Sequence, residues 1–252
     1  MSGHSKWSSI KHQKGVTDAK RGQLFTKLTR EIIVAVRQGG SNPEANFRLR
    51  LAIQKARDSS MPMDNIERAI KRGSGTLEGA SLVEMVLEGY GPGGVAILVQ
   101  ALSDNRNRTS QDIRNMFSRS SGSLGESGCV AWLFDLKGLI TVETNNLDAE
   151  ELALQAIDAG AEDVKIENAY IEIYTKPEEF EIVRTALAKQ KNLSITSAEL
   201  SMMPKTIVKL EEKAALQTLR LLDKLEEIDD VQHVFSNVDF SDSTLEKYKA
   251  QV

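Results

Sequence analysis

The sequence predicts a multidomain α+β protein: an N-terminal α-helical domain followed by two ferredoxin-like α+β domains, one inserted in the other. Three observations support this. Residues 23–73 carry apolar side chains at helical spacing. Residues 138–200 follow the strand and helix order βαββαβ of a ferredoxin-like unit, and the strands and helices on either side of that unit lack local partners. A chain of 252 residues is long enough for several domains with separate cores.

The first predicted helix follows from apolar residues at four-residue intervals: Leu24, Leu28, Ile32 and Val36. Such spacing places them on one helical face, and Gly39 and Gly40 supply a stop. The second helix is expected from "SNPEANFRLRLAIQKAR", with Asn42 as the cap and Pro43 in the first helical position. The third opens at "MDNIERAIKRG", where Asp64 and Glu67 have capping-box spacing.

Beyond residue 80 the hydrophobic period changes to that of strands. Two apolar runs flank "GYGPGGV", which predicts a hairpin with a tight turn. "TSQDIRNMFSRSSG" is helical in pattern, "GCVAWLF" is strand-like, and a last helix and strand precede a tail, "SDSTLEKYKAQV", that we expect to be mobile. The predicted organisation is a basic flexible arm at 1–22, a helical bundle at 23–76, a discontinuous α+β domain at 80–133 plus 205–240, and an inserted ferredoxin-like domain at 134–204.

The composition is that of a globular protein, with 40% hydrophobic and 27% charged residues. No apolar run approaches the roughly 20 residues of a membrane helix, and the start lacks the apolar segment of a secretory signal. The single cysteine, Cys129, excludes an intrachain disulfide and falls in a strand-like run where we expect it to be buried. We therefore expect a cytoplasmic protein without a membrane partner.

The charge is divided unevenly along the chain. Residues 1–76 contain 15 Lys and Arg against six Asp and Glu, a balance of +9, whereas the remainder has a balance of −13. A basic segment on an acidic body indicates a polyanionic partner, because cations attract phosphates. The strongest candidate is the stretch from residue 4 to 32, whose predicted nucleic-acid-binding residues are His4, Lys6, Trp7, Lys11, His12, Lys14, Lys20, Arg21, Lys27 and Arg30. Trp7 either stacks on a base or docks the arm onto the bundle.

Arg106 and Arg108 form a second candidate anion site. They flank Asn107 ahead of a predicted helix, with Thr109 available as its cap. Two arginines near a helix N-terminus suit a phosphate, although a capped solvent-exposed loop explains the pattern equally well.

The histidines and the glycine-rich turn of the sequence argue against catalysis, a cofactor or a small-molecule substrate. His4 and His12 have no zinc spacing, His233 lies in a strand, and no histidine is placed by pattern beside a Ser or Cys nucleophile. "GYGPGGV" lacks the Gly-Lys-Ser/Thr ending of a phosphate-binding loop. We therefore expect a protein that is not an enzyme and holds no metal.

Four motifs carry a resemblance to a known family: "GHSKWSSIKHQKGVTDAKRGQLFTKLTREI", "MPMDNIERAIKRGSG", "EGYGPGGVAILVQALSDNRNRT" and "GSLGESGCVAWLFDLKG". In this order they resemble the YebC family of bacterial regulators over essentially the whole chain. The resemblance implies three domains, one interrupting another, and a transcriptional regulator that binds DNA. It attaches that role to the basic residues above, including Arg106 and Arg108; Gln13 departs from the Arg or Lys of many relatives, which affects one phosphate contact at most.

Two alternatives stay open. Relatives of the family include mitochondrial translational activators, and bacterial members are connected with ribosomes stalled at proline-rich stretches, so the resemblance also fits a ribosome-associated factor binding ribosomal or transfer RNA. The chain shows no helix-turn-helix or aromatic RNA-reading motif, which leans towards recognition of structured RNA through shape and phosphates. The other alternative is a protein-interaction scaffold that uses the acidic domains.

Overall fold

The computed structural model describes residues 18–78, 81–143, 148–167, 170–190 and 193–250. It confirms the α+β class: N-terminal helices precede antiparallel sheets. The helical bundle consists of α1 (Asp18–Gly39), α2 (Phe47–Asp58) and α3 (Met63–Gly73). Because α1 begins at Asp18, residues 18–22 are helical and the predicted start at residue 23 is too late.

The bundle buries the apolar stripe predicted from the sequence. Leu28, Ile32 and Val36 of α1 pack against Leu49 of α2 and Ile66 of α3 in one core. The predicted helix caps are wrong, however, because they were assigned from sequence spacing alone. Residues 42–46 form a turn, and the α3 start is capped by no side chain.

Asn46, rather than Asn42, caps α2. Its side-chain oxygen accepts a hydrogen bond from the Leu49 backbone N–H at 3.0 Å. Its amide group donates to the carbonyls of Ala35 at 2.7 Å and Gly40 at 2.8 Å. Asn46 is buried, so these bonds satisfy a polar group that would otherwise be costly to bury, and they tie α1 to α2.

The first sheet combines two distant parts of the chain. It has the order β3-β1-β2-β9, formed by β1 (Val83–Tyr90), β2 (Ala96–Ser103), β3 (Ser123–Leu124) and β9 (Val231–Ser236). The predicted hairpin turn is confirmed: a 3-10 turn at Pro92–Gly94 joins β1 to β2, and Gly93 and Gly94 have positive φ. Helices α4 (Arg106–Arg119) and α7 (Glu212–Glu226) contribute side chains to the core of this unit.

The second sheet lies wholly within the segment between those parts. Its order is β5-β6-β4-β7, with all pairs antiparallel. Its strands are β4 (Phe134–Glu143), β5 (Asp163–Ile166), β6 (Tyr170–Thr175) and β7 (Ile195–Pro204), and its helices are α5 (Ala149–Asp158) and α6 (Phe180–Ala188). Ile140, Ile173, Phe180 and Leu152 pack in its core. The element order is the predicted βαββαβ; the predicted domain boundaries stay a prediction.

Two local predictions are wrong. The run "GCVAWLF" is not one strand: Ala131–Leu133 form a 3-10 turn before β4 begins at Phe134. The tail is not mobile at residues 242–249, because α8 (Asp242–Lys249) follows the short parallel pair β8 (Val208–Lys209) and β10 (Val238–Asp239). Leu245 and Tyr248 of α8 are buried in the core of the first sheet unit.

The bundle contacts both sheet units. The ring of Phe47 in α2 meets that of Phe180 in α6 edge to face, with 6.3 Å between centroids. Lys55 of α2 forms an ion pair with Glu199 of β7 at 2.9 Å. On the other side, α1 faces the turn between α7 and β9, which is where the candidate site begins.

Candidate nucleic-acid interface

Six residues predicted to contact nucleic acid lie outside the described residues: His4, Lys6, Trp7, Lys11, His12 and Lys14. Their role stays a prediction from the sequence.

Lys20 and Arg21 are exposed near the start of α1. The N-terminal end of a helix carries partial positive charge, so cations there destabilise the helix by a few tenths of a kcal/mol. Neither side chain forms an ion pair with another described residue. Helix stability therefore does not account for these two cations, and their contact with a nucleic acid stays a prediction from the sequence.

Lys27 and Arg30, about two and nearly three turns beyond Lys20 on α1, donate hydrogen bonds to other parts of the protein. The Lys27 ammonium donates to the Glu226 carbonyl at 2.5 Å. The Arg30 guanidinium donates to the carbonyls of Leu102 at 3.1 Å and Asp229 at 2.9 Å. These contacts fix α1 to the turn after α7, a role that the sequence alone did not predict.

The carboxylate of Asp230 is the centre of this contact. It forms an ion pair with Arg30 and accepts hydrogen bonds from Arg108 at 2.9 Å, Ser103 at 3.0 Å and the Thr109 hydroxyl. Burial alone would raise the pKa of Asp230, but the donors from Thr109, Arg108, Arg30 and Ser103 outweigh it and lower the pKa to about 2. Asp230 is therefore ionised at neutral pH and joins α1, β2 and α4.

The second predicted anion site has a different geometry from the one expected. Arg106 and Arg108 lie in the first turn of α4 rather than ahead of it, and the cap is Asn105, whose side chain accepts from the Arg108 backbone N–H at 3.1 Å. Thr109 is buried and bonds to Asp230, so its prediction as the cap is wrong. The Arg108 side chain pairs with Asp104 and Asp230, whereas Arg106 is exposed.

The bundle carries further exposed cations. Some basic residues of α2 pair within the chain: Arg48 pairs with Glu31 and Glu84, and Lys55 with Glu199. Four others are exposed, and no described residue pairs with them: Arg57, Arg68, Lys71 and Arg72. Arg57, Lys71 and Arg72 stand in last turns, where a cation also favours the helix dipole. These three cations add to the positive surface, but their contribution to helix stability explains them as well as a role in binding does.

Sequence reasoning missed the outer face of α4. Asn107, Gln111, Arg114 and Ser118 recur every three or four residues and are all exposed. Arg119 follows at the end of the helix, beside Lys224 of α7. The signal was present in "RNRTSQDIRNMFSR", a helical stretch in which arginine and neutral polar residues outnumber one acid, Asp112.

The described residues offer little for catalysis. Within them no three His, Cys, Asp or Glu side chains lie close enough to hold a metal ion. His233 stacks on Phe235 with 5.8 Å between ring centroids. Cys129 is half-buried rather than fully buried, and burial together with nearby Glu88 raises the pKa of its thiol. None of the helices described is long and apolar enough to cross a membrane.

Comparison with known proteins defines the family. Residues 5–76 match the model of the TACO1/YebC protein N-terminal domain, and residues 82–238 match that of the TACO1/YebC second and third domain. A probable transcriptional regulatory protein of Dehalococcoides mccartyi is 64% identical over the full length of both chains. One of Natranaerobius thermophilus is 52% identical over 98% of this chain and 99% of its own.

A solved structure supports the same assignment. The crystal structure of a conserved hypothetical protein from Aquifex aeolicus superposes with a TM-score of 0.81 and 46% identity, covering 92% of this chain and 98% of its own. The two domain models cover more than half of the chain, in the order predicted from its motifs. The chain therefore belongs to the TACO1/YebC family.

Proposed function

We propose that this protein is a nucleic-acid-binding regulator of gene expression that is not an enzyme. The observation that carries the proposal is the exposed pair Lys20 and Arg21 at the start of α1, which continues a segment containing Lys6, Lys11 and Lys14. The names of the relatives, probable transcriptional regulatory proteins, support a regulatory role.

The proposed mechanism is electrostatic capture. The basic residues of the arm and of α1 contact phosphates, which position a nucleic acid but do not read its sequence. The exposed cations of α2 and α3 extend the positive surface, while Lys27 and Arg30 hold α1 in place. Acidic surfaces elsewhere on the sheet units repel phosphates and so favour binding at the basic surfaces.

The test is the salt dependence of binding. Full-length protein is titrated with a labelled 30-bp duplex DNA and, separately, with a labelled RNA stem-loop, at several salt concentrations. We expect the variant with alanine at Lys6, Lys11, Lys14, Lys20 and Arg21 to lose affinity and to reduce the slope of log K against log salt by about four.

A charge-matched control separates the site from a general charge effect. It replaces five exposed lysines of the acidic part by alanine: Lys176, Lys189, Lys205, Lys209 and Lys213. This control should bind like the wild type. Equal slopes for both variants, or no binding of either probe by the wild type, would contradict the proposed function.

Comparing a library of duplex sequences with the RNA stem-loop also distinguishes the class of regulator. Preference for one duplex sequence over random duplex by a factor of about a thousand or more is the behaviour of a transcriptional regulator. Tighter binding of the RNA, without a preferred duplex, supports the alternative role in translation. A scaffold role predicts that the five-site arm variant binds nucleic acid as well as the wild type does.

A further inference from the structure

We propose that the outer face of α4, together with the cleft between α4 and the end of α7, binds an unpaired RNA segment. This inference rests on the proposed function and goes beyond it, because it assigns a second contact surface outside the basic arm and bundle. It also supplies contacts to bases, which phosphate binding by the arm lacks.

The outer face of α4 has the chemistry needed to contact bases. Asn107, Gln111 and Arg114 form one exposed stripe along the helix, and Ser110 and Asn115 lie beside it around a shallow depression. Amide groups both donate and accept hydrogen bonds, as the edges of bases do, and a guanidinium stacks on a base or pairs with a phosphate. Such neutral polar groups also recognise the 2′-hydroxyl that distinguishes RNA from DNA.

The cleft at the other end of α4 combines an apolar floor with two cations. Met116 and Ile228 line it and pack on the core of the first sheet unit. Arg119 and Lys224 stand at its sides, opposite the single acid Glu227. An apolar floor suits the face of an unpaired base, and the flanking cations suit the phosphates next to it.

The cleft lies beside the start of α1. The Gln23 amide donates a hydrogen bond to the backbone carbonyl of Glu227, a residue that lines the cleft. Lys27 donates to the carbonyl of the preceding residue, Glu226. A strand that occupies the cleft is therefore close to Lys20 and Arg21, so that the arm and α4 can contact one molecule.

The charge of the two surfaces defines the occupant. The N-terminal arm is itself basic, so it does not complement a face that carries Arg106, Arg114, Arg119 and Lys224. A polyanion complements both surfaces at once. Because α4 packs along α7 and against the edge of the sheet, it does not stand clear as a helix inserted into a duplex groove must. Unpaired bases, by contrast, can stack and form hydrogen bonds on an open protein surface.

The test uses full-length protein and three labelled probes of one sequence: a 12-nucleotide RNA without self-complementarity, the same sequence as DNA, and the RNA annealed to its complement. Fluorescence anisotropy gives the affinity for each. We expect the wild type to bind the single-stranded RNA more tightly than the other two probes. Arg114→Ala combined with Arg119→Ala should weaken binding of the single-stranded RNA about tenfold and that of the duplex much less.

Two further variants make the result specific. Lys189→Ala with Lys209→Ala removes the same charge from exposed positions elsewhere and should leave all three affinities unchanged. Asn107→Ala with Gln111→Ala removes no charge, so it should weaken binding of the single-stranded RNA about threefold or more without changing the salt slope.

Several results overturn the inference while leaving the proposed function intact. One is an equal loss of affinity for the single-stranded RNA in the Arg114/Arg119 variant and in its lysine control. The others are an unchanged affinity for that RNA in the Asn107/Gln111 variant, and equal affinities of the wild type for single-stranded RNA and DNA. Failure of the wild type to bind any probe, the 30-bp duplex and the stem-loop included, contradicts the proposed function itself.

Discussion

Arg30 of α1 and Asp230, the residue just before β9, form an ion pair that joins the helical bundle to the first sheet unit. The two residues are 200 positions apart in the chain. Arg108 of α4 shares the same carboxylate, so one buried acid holds three elements together. This contact places the middle of α1 beside the first turn of α4, while the hydrogen bond from Gln23 to Glu227 places the start of α1 beside the cleft at the other end of α4.

Asp230→Asn should lower the free energy of unfolding by about 3 kcal/mol, because it leaves Arg30 and Arg108 without their shared charge. Urea unfolding followed by circular dichroism measures the change. Asp229→Asn is the matched control: its side chain is exposed and only its backbone carbonyl binds Arg30, so the same substitution there should have little effect. Equal losses in the two variants would contradict the assigned role of the Asp230 carboxylate.

The same carboxylate predicts a pH dependence. Its pKa in the folded protein, about 2, is below its ordinary value of 3.8, so the folded state favours the ionised form. The stabilisation is therefore complete above about pH 5 and is lost as the pH falls towards 2. The difference in unfolding free energy between the wild type and Asp230→Asn should shrink over this range; a difference that stays constant down to pH 2 would argue against it.

Glu88 should fix the loop that carries Trp132. Its buried carboxylate accepts hydrogen bonds from the backbone N–H groups of Gly128, Val130 and Ala131 at 2.7 to 2.8 Å. Burial opposes ionisation, but these three donors outweigh it and lower the pKa of Glu88. Glu88→Ala leaves the donors without their acceptor, so we expect a loss of about 2 kcal/mol or more in stability.

The loop also offers a direct readout of the Glu88 variant. Trp132 is 64% exposed and donates to the Cys129 carbonyl, so its fluorescence reports on the conformation of the loop. In a Trp7→Phe background, which leaves Trp132 as the one tryptophan, Glu88→Ala should shift the emission of the folded protein, whereas Glu126→Ala, at an exposed site in the same loop, should not. Unchanged stability and emission in the Glu88 variant would show that the loop is held by other contacts.

Two glycines should respond to alanine in opposite directions. A Cβ at Gly138 in β4 would lie 2.3 Å from the Thr175 hydroxyl and 2.4 Å from the Phe180 ring, so Gly138→Ala should cost about 1–3 kcal/mol. Gly22 in α1 has open space around its Cβ position, and alanine favours a helix by about 0.5–1 kcal/mol. Thermal or urea unfolding of both variants checks the signs, and destabilisation by Gly22→Ala would contradict the helical start of α1.

The C-terminal helix α8 should contribute to stability. Leu245 is buried, and the Tyr248 hydroxyl donates to the Asp223 carboxylate of α7. Leu245→Ala should therefore lower the free energy of unfolding by about 2–4 kcal/mol. Glu246→Ala, exposed on the same helix, is the control and should change it by less than about 0.5 kcal/mol. Equal effects would mean that the helix packs only weakly on the core.

The sequence predicted the elements that have a clear period. The four-residue spacing from Leu24 to Val36 predicted α1 and its buried face, and the βαββαβ order predicted the second sheet unit. Spacing within one segment carries this information, because a helix or strand must bury one side. The prediction of a mobile tail was wrong because α8 has too few buried residues to show a clear period: its buried face consists of little more than Leu245 and Tyr248.

The details of the site depended on contacts between distant segments. Nothing in the sequence near Arg30 indicates that its partner is Asp230. Thr109 has the residue type of a helix cap, but its hydroxyl donates to the distant Asp230 carboxylate. Asn46 caps α2 in place of the predicted Asn42, because its side chain also reaches the carbonyls of Ala35 and Gly40. Tertiary packing thus determined which basic residues bind within the protein and which face outwards.

The most direct test of the central claim is crosslinking in cells, followed by sequencing of all nucleic acid bound to the wild-type protein and to its five-site arm variant. The account predicts recovery of specific DNA or RNA segments with the wild type and their loss with alanine at Lys6, Lys11, Lys14, Lys20 and Arg21. Promoter duplexes would identify a transcriptional regulator, and ribosomal or transfer RNA a translation factor. Equal recovery with both proteins, or none above background with the wild type, would contradict a nucleic-acid-binding regulator that acts through its basic arm.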